Sequence, residues 1–448
     1  MKNNQTGIYF IIAGILFLIA GITFGVIGGL QYVFENLLKT ALPFYKTRPM
    51  HVSLVITFII LTATGGVYYY LKESFGENKL VSKVSKLHLI LYVSVTITII
   101  VCYLLGYFGG REYLEYPPIL ALPLLLAWIL FAFNFYKIIR GKIKGKTPIY
   151  IWMWATGIIF FIFTNLEAYL WMFPYFRDNI VKDVTIQWKS MGSMVGAWNM
   201  LIYGTAFYIM EKLSGSDKIS HAPKTFFFYF LGLTNLLFNW GHHTYIIPHA
   251  PWIKTVAYII SMTELLILGN IILSWRKTLT YGQRNYQNIP YRLLINSDIW
   301  IFLNLILALS ISIPSINKYT HGTHITVAHA MGATIGINSI ILLASSYFIF
   351  SKRDGNIFIA NKKIINTGFW LMNISLLIFW LSLLTAGIIK GIETTPGSTA
   401  NFHEIIHNQA IYFDVFAISG FGVFIGLILL VYPLLKSFFK RKGVGIED

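Results

Sequence analysis

The chain is poor in cysteine, in charge and in segments that could join separate domains. Cys102 is its only cysteine, which excludes an intrachain disulfide, a thiolate zinc site and an iron–sulfur cluster held by this chain alone. Charged residues make up 12% of the sequence, whereas soluble globular chains average about 25%. Gly-rich phosphate loops, Pro- or Ser-rich linkers, low-complexity tracts and repeats are also missing. A soluble enzyme of ordinary composition is therefore excluded.

Apolar residues are abundant, at 56% of the 448 residues, and they form runs long enough to cross a bilayer. The pattern predicts an all-α integral membrane protein, with residues 1–448 forming a single polytopic domain. The first run has no cleavage-site pattern, so we interpret it as a spanning helix and not as a signal peptide. Twelve spans are predicted, at residues 8–30, 50–71, 84–108, 117–138, 148–173, 186–211, 223–246, 252–274, 293–315, 321–350, 364–390 and 403–435.

The formal net charge of +17 would suggest a nucleic-acid partner in a soluble protein. Here 25 of the 35 lysines and arginines fall in the termini and in alternate loops on one side of the predicted spans. This asymmetry follows the positive-inside rule and predicts that both termini are cytoplasmic. The basic charge therefore reflects topology in a lipid bilayer, and no nucleic-acid partner is expected. His88, near an inner loop, is predicted to be solvated or interfacial.

The adjacent histidines His242 and His243 end the seventh predicted span on its outer side. Histidine is costly at bilayer depth, and two neighbouring imidazoles favour metal ligands over a packed core residue. The predicted topology brings His51, His329 and Glu264 to a similar depth from three other spans. Because random placement would scatter polar residues in depth, this convergence predicts a buried cofactor site in the outer third of the membrane.

His329 and Met331 form a second informative pair, within a predicted helix. Two residues along a helix correspond to a rotation of about 200°, so the two side chains point to nearly opposite sides. One helix could then ligate two haems, one on each face. Core filling is the alternative for Met331, since methionine packs in many environments.

Several motifs resemble the large subunit of nitric oxide reductase, a family within the haem–copper oxidase superfamily. The similarity runs over most of the chain, and the motifs agree in order and spacing. It implies a twelve-transmembrane-helix bundle like haem–copper oxidase subunit I. The motifs that carry it are Gly110-Arg111-Glu112-Tyr113-Leu114-Glu115, Gly241-His242-His243, Glu264, Tyr319-Thr320-His321-Gly322-Thr323 and Ala328-His329.

The resemblance implies a role for seven residues of this sequence. They are His51 as an axial ligand of a low-spin haem b, His329 as the proximal ligand of a high-spin b-type haem, His242 and His243 as ligands of a non-haem metal, Glu112 as a calcium ligand near the haem propionates, and Glu115 and Glu264 as proton-delivery or active-site carboxylates.

The resemblance also implies the setting of the protein. We expect a multi-pass protein of the cell (inner) membrane whose active site faces the outer, periplasmic side. Electrons would come from a c-type cytochrome subunit or a soluble cytochrome c. The substrate would be nitric oxide or a related diatomic gas, which can reach the site through lipid.

The sequence departs from the family at positions that hold haem and metal. Met331 stands where the family has a second histidine for the low-spin haem, and His/Met ligation would raise the reduction potential of that haem. Met191 stands where span six supplies a third histidine to the metal, and two nearby glutamates become Val195 and Asn199. Thioether and imidazole suit Cu(I), so copper, iron and an empty site all stay open.

These departures leave several functions open. A nitric oxide dismutase and an oxygen reductase are variants of the same gas chemistry. A non-catalytic haem protein, which transfers electrons or senses a gas, would need no complete metal site. A transporter without cofactors is the remaining class, and it has no use for histidines gathered at one depth.

Overall fold

The computed structural model describes residues 5–76, 78–248, 250–263, 288–395 and 401–443. Within these ranges the regular structure is helical, apart from one isolated bridge between Arg111 and Leu114. The helices of the first half are α1 (Gln5–Gln31), α2 (Phe44–Phe75), α3 (Lys79–Leu105), α4 (Ala121–Ile139), α5 (Ile149–Glu167), the short α6 (Pro174–Arg177), α7 (Ile180–Ser214) and α8 (Pro223–Phe238).

The second half continues the all-helical pattern. Its helices are α9 (residues 251–263), α10 (Ile289–Ser312), α11 (Pro314–Thr320), α12 (His324–Met331), α13 (Ile340–Ala360), α14 (Lys362–Glu393) and α15 (Phe402–Gly443). Short 3₁₀ turns also occur, and the one at Asn239–Thr244 follows α8 directly. A π-helical stretch, Gly332–Ser339, joins α12 to α13. Such segments are rare and often occur at functional sites.

Nine helices in the described part of the chain are long and apolar enough to cross a membrane. The prediction of an all-helical, multi-pass membrane protein is therefore confirmed, whereas the count of twelve spans stays a prediction. Predicted spans six and seven correspond to α7 and α8, which are not among the nine. Helix α7 begins with charged residues such as Lys182 and Asp183, and α8 has only 16 residues. Predicted span eight extends beyond the described residues.

The first two helices pack as an antiparallel pair, which places His51 against α1. Gly7 lies opposite Gly65, and Gly25 lies opposite His51, so contacts run in opposite directions along the two helices. A Cβ on Gly7 would lie 2.6 Å from the Gly65 oxygen. Glycine here lets two backbones approach closely, as it does in many helix pairs within membranes.

A polar cluster joins α2, α3 and α4 near the C-terminal end of α2. The Tyr68 hydroxyl lies 3.1 Å from His88 Nδ1, and Asn134 Nδ2 donates to the hydroxyls of Tyr68 and Ser85, each at 3.1 Å. His88 is 1% exposed, so the prediction of an interfacial histidine is wrong. Interhelical hydrogen bonds satisfy polar groups that lipid could not. Proximity to a loop in the sequence does not report this burial.

Candidate metal centre

The 3₁₀ segment Asn239–Thr244 presents His242 and His243 side by side. Their ring centroids are 4.2 Å apart, and the ring planes differ by 36°. The turn is closed by the Thr244 hydroxyl, which donates to the Gly241 carbonyl at 2.9 Å. The predicted pair is therefore a real cluster of two imidazoles on a segment distinct from the preceding α-helix.

His243 is held by an aromatic contact from α7. The Trp188 ring stacks on the His243 ring with a centroid distance of 4.5 Å and an interplanar angle of 4°. One turn further along α7, a Cβ on Gly192 would lie 2.6 Å from the Cβ of Trp240. The missing side chain at Gly192 therefore allows α7 to approach the 3₁₀ segment closely enough for this stacking.

His242 is held by two hydrogen bonds, and a third fixes the side chain of its partner Asn239. Its Nδ1 lies 3.2 Å from Asn239 Oδ1, and the Ser261 hydroxyl of α9 donates to the same oxygen at 2.6 Å. Asn317 of α11 donates from Nδ2 to the His242 carbonyl at 3.4 Å. Both the ring and the backbone of His242 are thus tied to neighbouring elements.

His329 and His321 complete the neighbourhood of the pair. Both lie close enough to His242 and His243 to interact with them electrostatically. The Nδ1 atom of His329 is buried and makes no hydrogen bond of normal geometry in the described part of the chain. The pair therefore has two further histidines within electrostatic range, and His321 was not among the predicted site residues.

The sequence predicted Met191 as a third metal ligand. Its side chain is 6% exposed and belongs to the apolar core, and it is Trp188, one turn earlier on α7, that reaches His243. Val195 is 39% exposed, and the Asn199 Oδ1 atom is buried with no hydrogen-bond partner among the described residues. Nowhere in the described ranges do three His, Cys, Asp or Glu side chains form a metal-binding group. Two imidazoles therefore fit a metal, and the third donor stays a prediction.

His51 is oriented for ligation by α1. Its Nδ1 lies 2.8 Å from the Gly21 carbonyl, so Nδ1–H donates to that oxygen and the lone pair stays on Nε2. A Cβ on Gly25 would lie 2.7 Å from the same nitrogen. This geometry fits an axial haem ligand. Met331, the predicted partner ligand, is partly buried at the end of α12, and its role stays a prediction.

Glu112 and Glu115 are both bound by Arg48 of α2. The Arg48 guanidinium donates to Glu112 at 2.6 Å and to Glu115 at 3.1 Å. Calcium takes six to eight oxygen ligands, and the Glu112 carbonyl already accepts a hydrogen bond from Gln187 at 3.0 Å. The described side chains of this loop do not by themselves fit a calcium ion, since both carboxylates already accept hydrogen bonds from the Arg48 guanidinium.

Glu115 is the more buried of the two carboxylates. Its side chain is 15% exposed, against 46% for Glu112. Burial raises the pKa of Glu115 above its usual value, partly offset by backbone hydrogen bonds and by the charge of Arg48. One of its carboxylate oxygens is buried and has no hydrogen-bond partner within the part of the chain that the structure describes. Glu115 is thus suited to hold a proton in the loop between α3 and α4. Glu264, the other predicted catalytic carboxylate, lies outside the described residues.

Sequence reasoning missed the residues that hold the predicted ligands. Arg48 lies one turn before His51, and Asn239 lies three residues before His242. Both are therefore close enough in the sequence to be predicted as neighbours of these histidines. Trp188 and Asn317 are 55 and 75 residues from their histidine partners, and Ser261 is 22 residues from Asn239. Only helix packing brings these three to the site.

The helices and the gathered histidines define an all-helical, multi-pass membrane protein with a candidate metal centre near one end of the bundle. Residues 5–426 match the family described as "Cytochrome C and Quinol oxidase polypeptide I". The chain therefore belongs to the haem–copper oxidase subunit I family, whose members are oxidoreductases that bind haems and a non-haem metal.

Individual relatives cover nearly the whole chain. A nitric oxide reductase subunit of Stutzerimonas stutzeri is 24% identical over 94% of this chain and 90% of its own length. The cbb3-type cytochrome c oxidase subunit CcoN1 of the same organism is 22% identical over 91% and 89%. A heme-copper terminal oxidase dimer solved by cryo-EM shares the fold, with a TM-score of 0.75 at 15% identity over 98% of this chain and 84% of that one.

Proposed function

We propose that this protein is a membrane haem oxidoreductase that reduces nitric oxide, or a related diatomic gas, with electrons from a c-type cytochrome. The observation that carries the proposal is the pair His242 and His243, with ring centroids 4.2 Å apart and His329 in electrostatic range. The match to a nitric oxide reductase subunit over 94% of the chain supports it. A transporter or a structural protein has no need for this arrangement.

The proposal assigns cofactor roles to five residues. His329 holds a high-spin b-type haem, His51 and Met331 hold a low-spin haem b, and the His242–His243 pair holds a non-haem metal, copper or iron. When bound, the haem and the metal bind the gas and deliver electrons to it. The free Nε2 of His51, set by the hydrogen bond to Gly21, supports the low-spin haem site.

Nitric oxide reduction joins two molecules with two electrons and two protons to give nitrous oxide and water. In this proposal Glu115 takes a proton at the outer edge, where burial already favours its protonated form, and Glu264 passes it inward. Arg48 fixes the direction of the Glu115 side chain. Trp188 shields one face of His243 from water. The role of Glu112 as a calcium ligand has no support from its contacts, since Arg48 occupies its carboxylate.

We also propose a topology and a membrane location for the protein. Residues 1–448 form one polytopic domain in the cell (inner) membrane, with both termini in the cytoplasm and the histidines toward the outer side. A c-type cytochrome then delivers electrons from the side nearer the haems. Two relatives that carry the name cytochrome c oxidase, at 22% and 21% identity, support a donor of this type.

The test is turnover of the purified full-length protein under anaerobic conditions. Nitric oxide is added with a reduced cytochrome c, and nitrous oxide, dinitrogen and oxygen are followed by mass spectrometry. Nitrous oxide supports the proposal, dinitrogen with oxygen indicates a dismutase, and consumption of added oxygen indicates an oxygen reductase. Elemental analysis and a haem assay on the same sample report the metal and the haem count. No turnover of any gas, with all cofactors present, overturns the enzymatic proposal.

A second candidate function follows from the incomplete ligand set. Met191, Val195 and Asn199 replace residues that would complete the metal site, and no three metal-binding side chains gather within the described ranges. A haem protein that transfers electrons or senses a gas needs only His51 and His329. It predicts normal haem spectra, no stoichiometric non-haem metal and no turnover.

A further inference from the structure

The hydrogen bonds around His242 select which of its ring nitrogens is free. A neutral imidazole carries its hydrogen on one nitrogen and a lone pair on the other. Here Nδ1 faces Asn239 Oδ1 at 3.2 Å, and an amide oxygen can only accept. The hydrogen of His242 therefore sits on Nδ1, and the lone pair stays on Nε2.

Ser261 determines which atom Asn239 presents to the histidine. Its hydroxyl has a single hydrogen and two acceptors in reach, Asn239 Oδ1 at 2.6 Å and the Ala257 carbonyl at 3.0 Å. The shorter contact favours donation to Asn239. Were the hydrogen given to Ala257 instead, the amide of Asn239 would be free to turn and donate, and His242 would then accept at Nδ1.

The rest of the surroundings keeps this arrangement in place. Ser261 is 7% exposed, so water does not compete freely for its hydroxyl. Asn317 ties the His242 backbone to α11, and stacking on Trp188 limits rotation of the adjacent His243. Ligand histidines are commonly fixed in this way, by a partner on the nitrogen that does not bind the metal.

We propose that Asn239 and Ser261 are positioning residues that hold His242 with Nε2 as the free lone pair, ready for a transition-metal ion. Ser261 orients the amide, and the amide sets the tautomer of the ring. The inference rests on the proposed metal role of the His242–His243 pair. It assigns a function to α9 that depends on neither the identity of the gas nor turnover.

The test measures metal affinity in the full-length protein, stripped of non-haem metal with a chelator and titrated with Co²⁺ against a competing chelator. Asn239→Leu is expected to weaken Co²⁺ binding by about 10–100-fold, the usual effect of losing such a partner. Asn239→Asp keeps an acceptor facing Nδ1 and is expected to restore binding, which a merely structural role would not do. Ser261→Ala is expected to cause a smaller loss.

The matched control is Thr263→Ala, also on α9, whose hydroxyl donates to the Ile260 carbonyl of its own helix at 3.1 Å. Co²⁺ affinity of this variant should equal that of the wild type. His242→Leu separates the two proposals. If it leaves Co²⁺ binding unchanged, the metal role itself fails. If it abolishes binding while Asn239→Leu and Asn239→Asp both bind like the wild type, the positioning role is overturned.

Discussion

Two histidine regions of this protein are built in different ways. His51 lies on a long α-helix and is oriented by a backbone carbonyl of the helix packed against it. His242 and His243 lie on a 3₁₀ segment and are oriented by side chains from α7, from α9 and from the segment itself. The first arrangement needs only that α1 and α2 stay packed. The second arrangement also needs several side chains, from α7, α9 and the 3₁₀ segment, to keep their contacts with the histidines or with Asn239.

The difference shows where each region is sensitive. A ligand fixed by the backbone tolerates many side-chain changes but no added volume between the two helices. When side chains fix a ligand, single substitutions nearby can change or abolish the orientation of its ring. Met191, Val195 and Asn199, which the resemblance to nitric oxide reductase predicts as replacements of metal-site residues, lie on α7, which packs against the second region.

The largest expected effect comes from adding volume beside His51. Gly25→Ala would place a Cβ 2.7 Å from His51 Nδ1, which forces the ring to move at a cost of about 1–3 kcal/mol. We expect loss of low-spin haem signals in the reduced absorption spectrum. Gly28→Ala on the same helix is the control, because its Cβ meets only ordinary contacts, with 3.6 Å to Thr47. Equal spectra for the two variants would contradict the backbone-held arrangement.

Separating α7 from the 3₁₀ segment should affect only the second region. Gly192→Ala would bring a Cβ to 2.6 Å from Trp240, and overpacking of this kind costs about 1–3 kcal/mol. We expect a lower melting temperature and less bound non-haem metal, with the low-spin haem spectrum retained. Gly232→Ala on α8 is the control, since its Cβ meets the flexible end of Met200. Coupled loss of both cofactors would show that the two regions are not independent.

The polar cluster of Tyr68, Ser85, His88 and Asn134 should matter for stability alone. His88→Leu removes the hydrogen bond to Tyr68 in a buried site, which costs about 1–3 kcal/mol. The melting temperature should fall while haem spectra and metal content stay at wild-type values. His403→Leu, at an exposed position, should leave all three unchanged. A change in either cofactor in the His88 variant would extend the site to the C-terminal end of α2.

The smallest expected effect is a pH dependence of the melting temperature, caused by Glu115 in the loop between α3 and α4. Because burial raises the pKa of Glu115 in the folded protein, this group contributes stability below the usual glutamate pKa of about 4.3, and the contribution is lost as pH rises through the folded-state pKa. The melting temperature of the wild type relative to Glu115→Gln should therefore decrease from pH 4 to pH 8. A difference that grows with pH would mean that pairing with Arg48 outweighs burial.

The sequence by itself determined the all-helical membrane fold and the histidines worth testing. Apolar runs in a bilayer must satisfy their backbone hydrogen bonds internally, so helices follow from composition. Polar residues at bilayer depth are costly, so His51, His242, His243 and His329 stand out without any structure. The π-helical stretch after Met331 has no comparable signal in the sequence.

Only the tertiary structure decided how those residues are held. The stacking of Trp188 on His243, the bond from Ser261 to Asn239 and the binding of Glu112 and Glu115 by Arg48 each join residues far apart in the chain. Such pairs depend on which faces of two helices meet and on how far the helices are shifted along their axes. Helix packing sets the contacting faces and their relative position. The periodicity of a single segment contains no information about which helix packs against it.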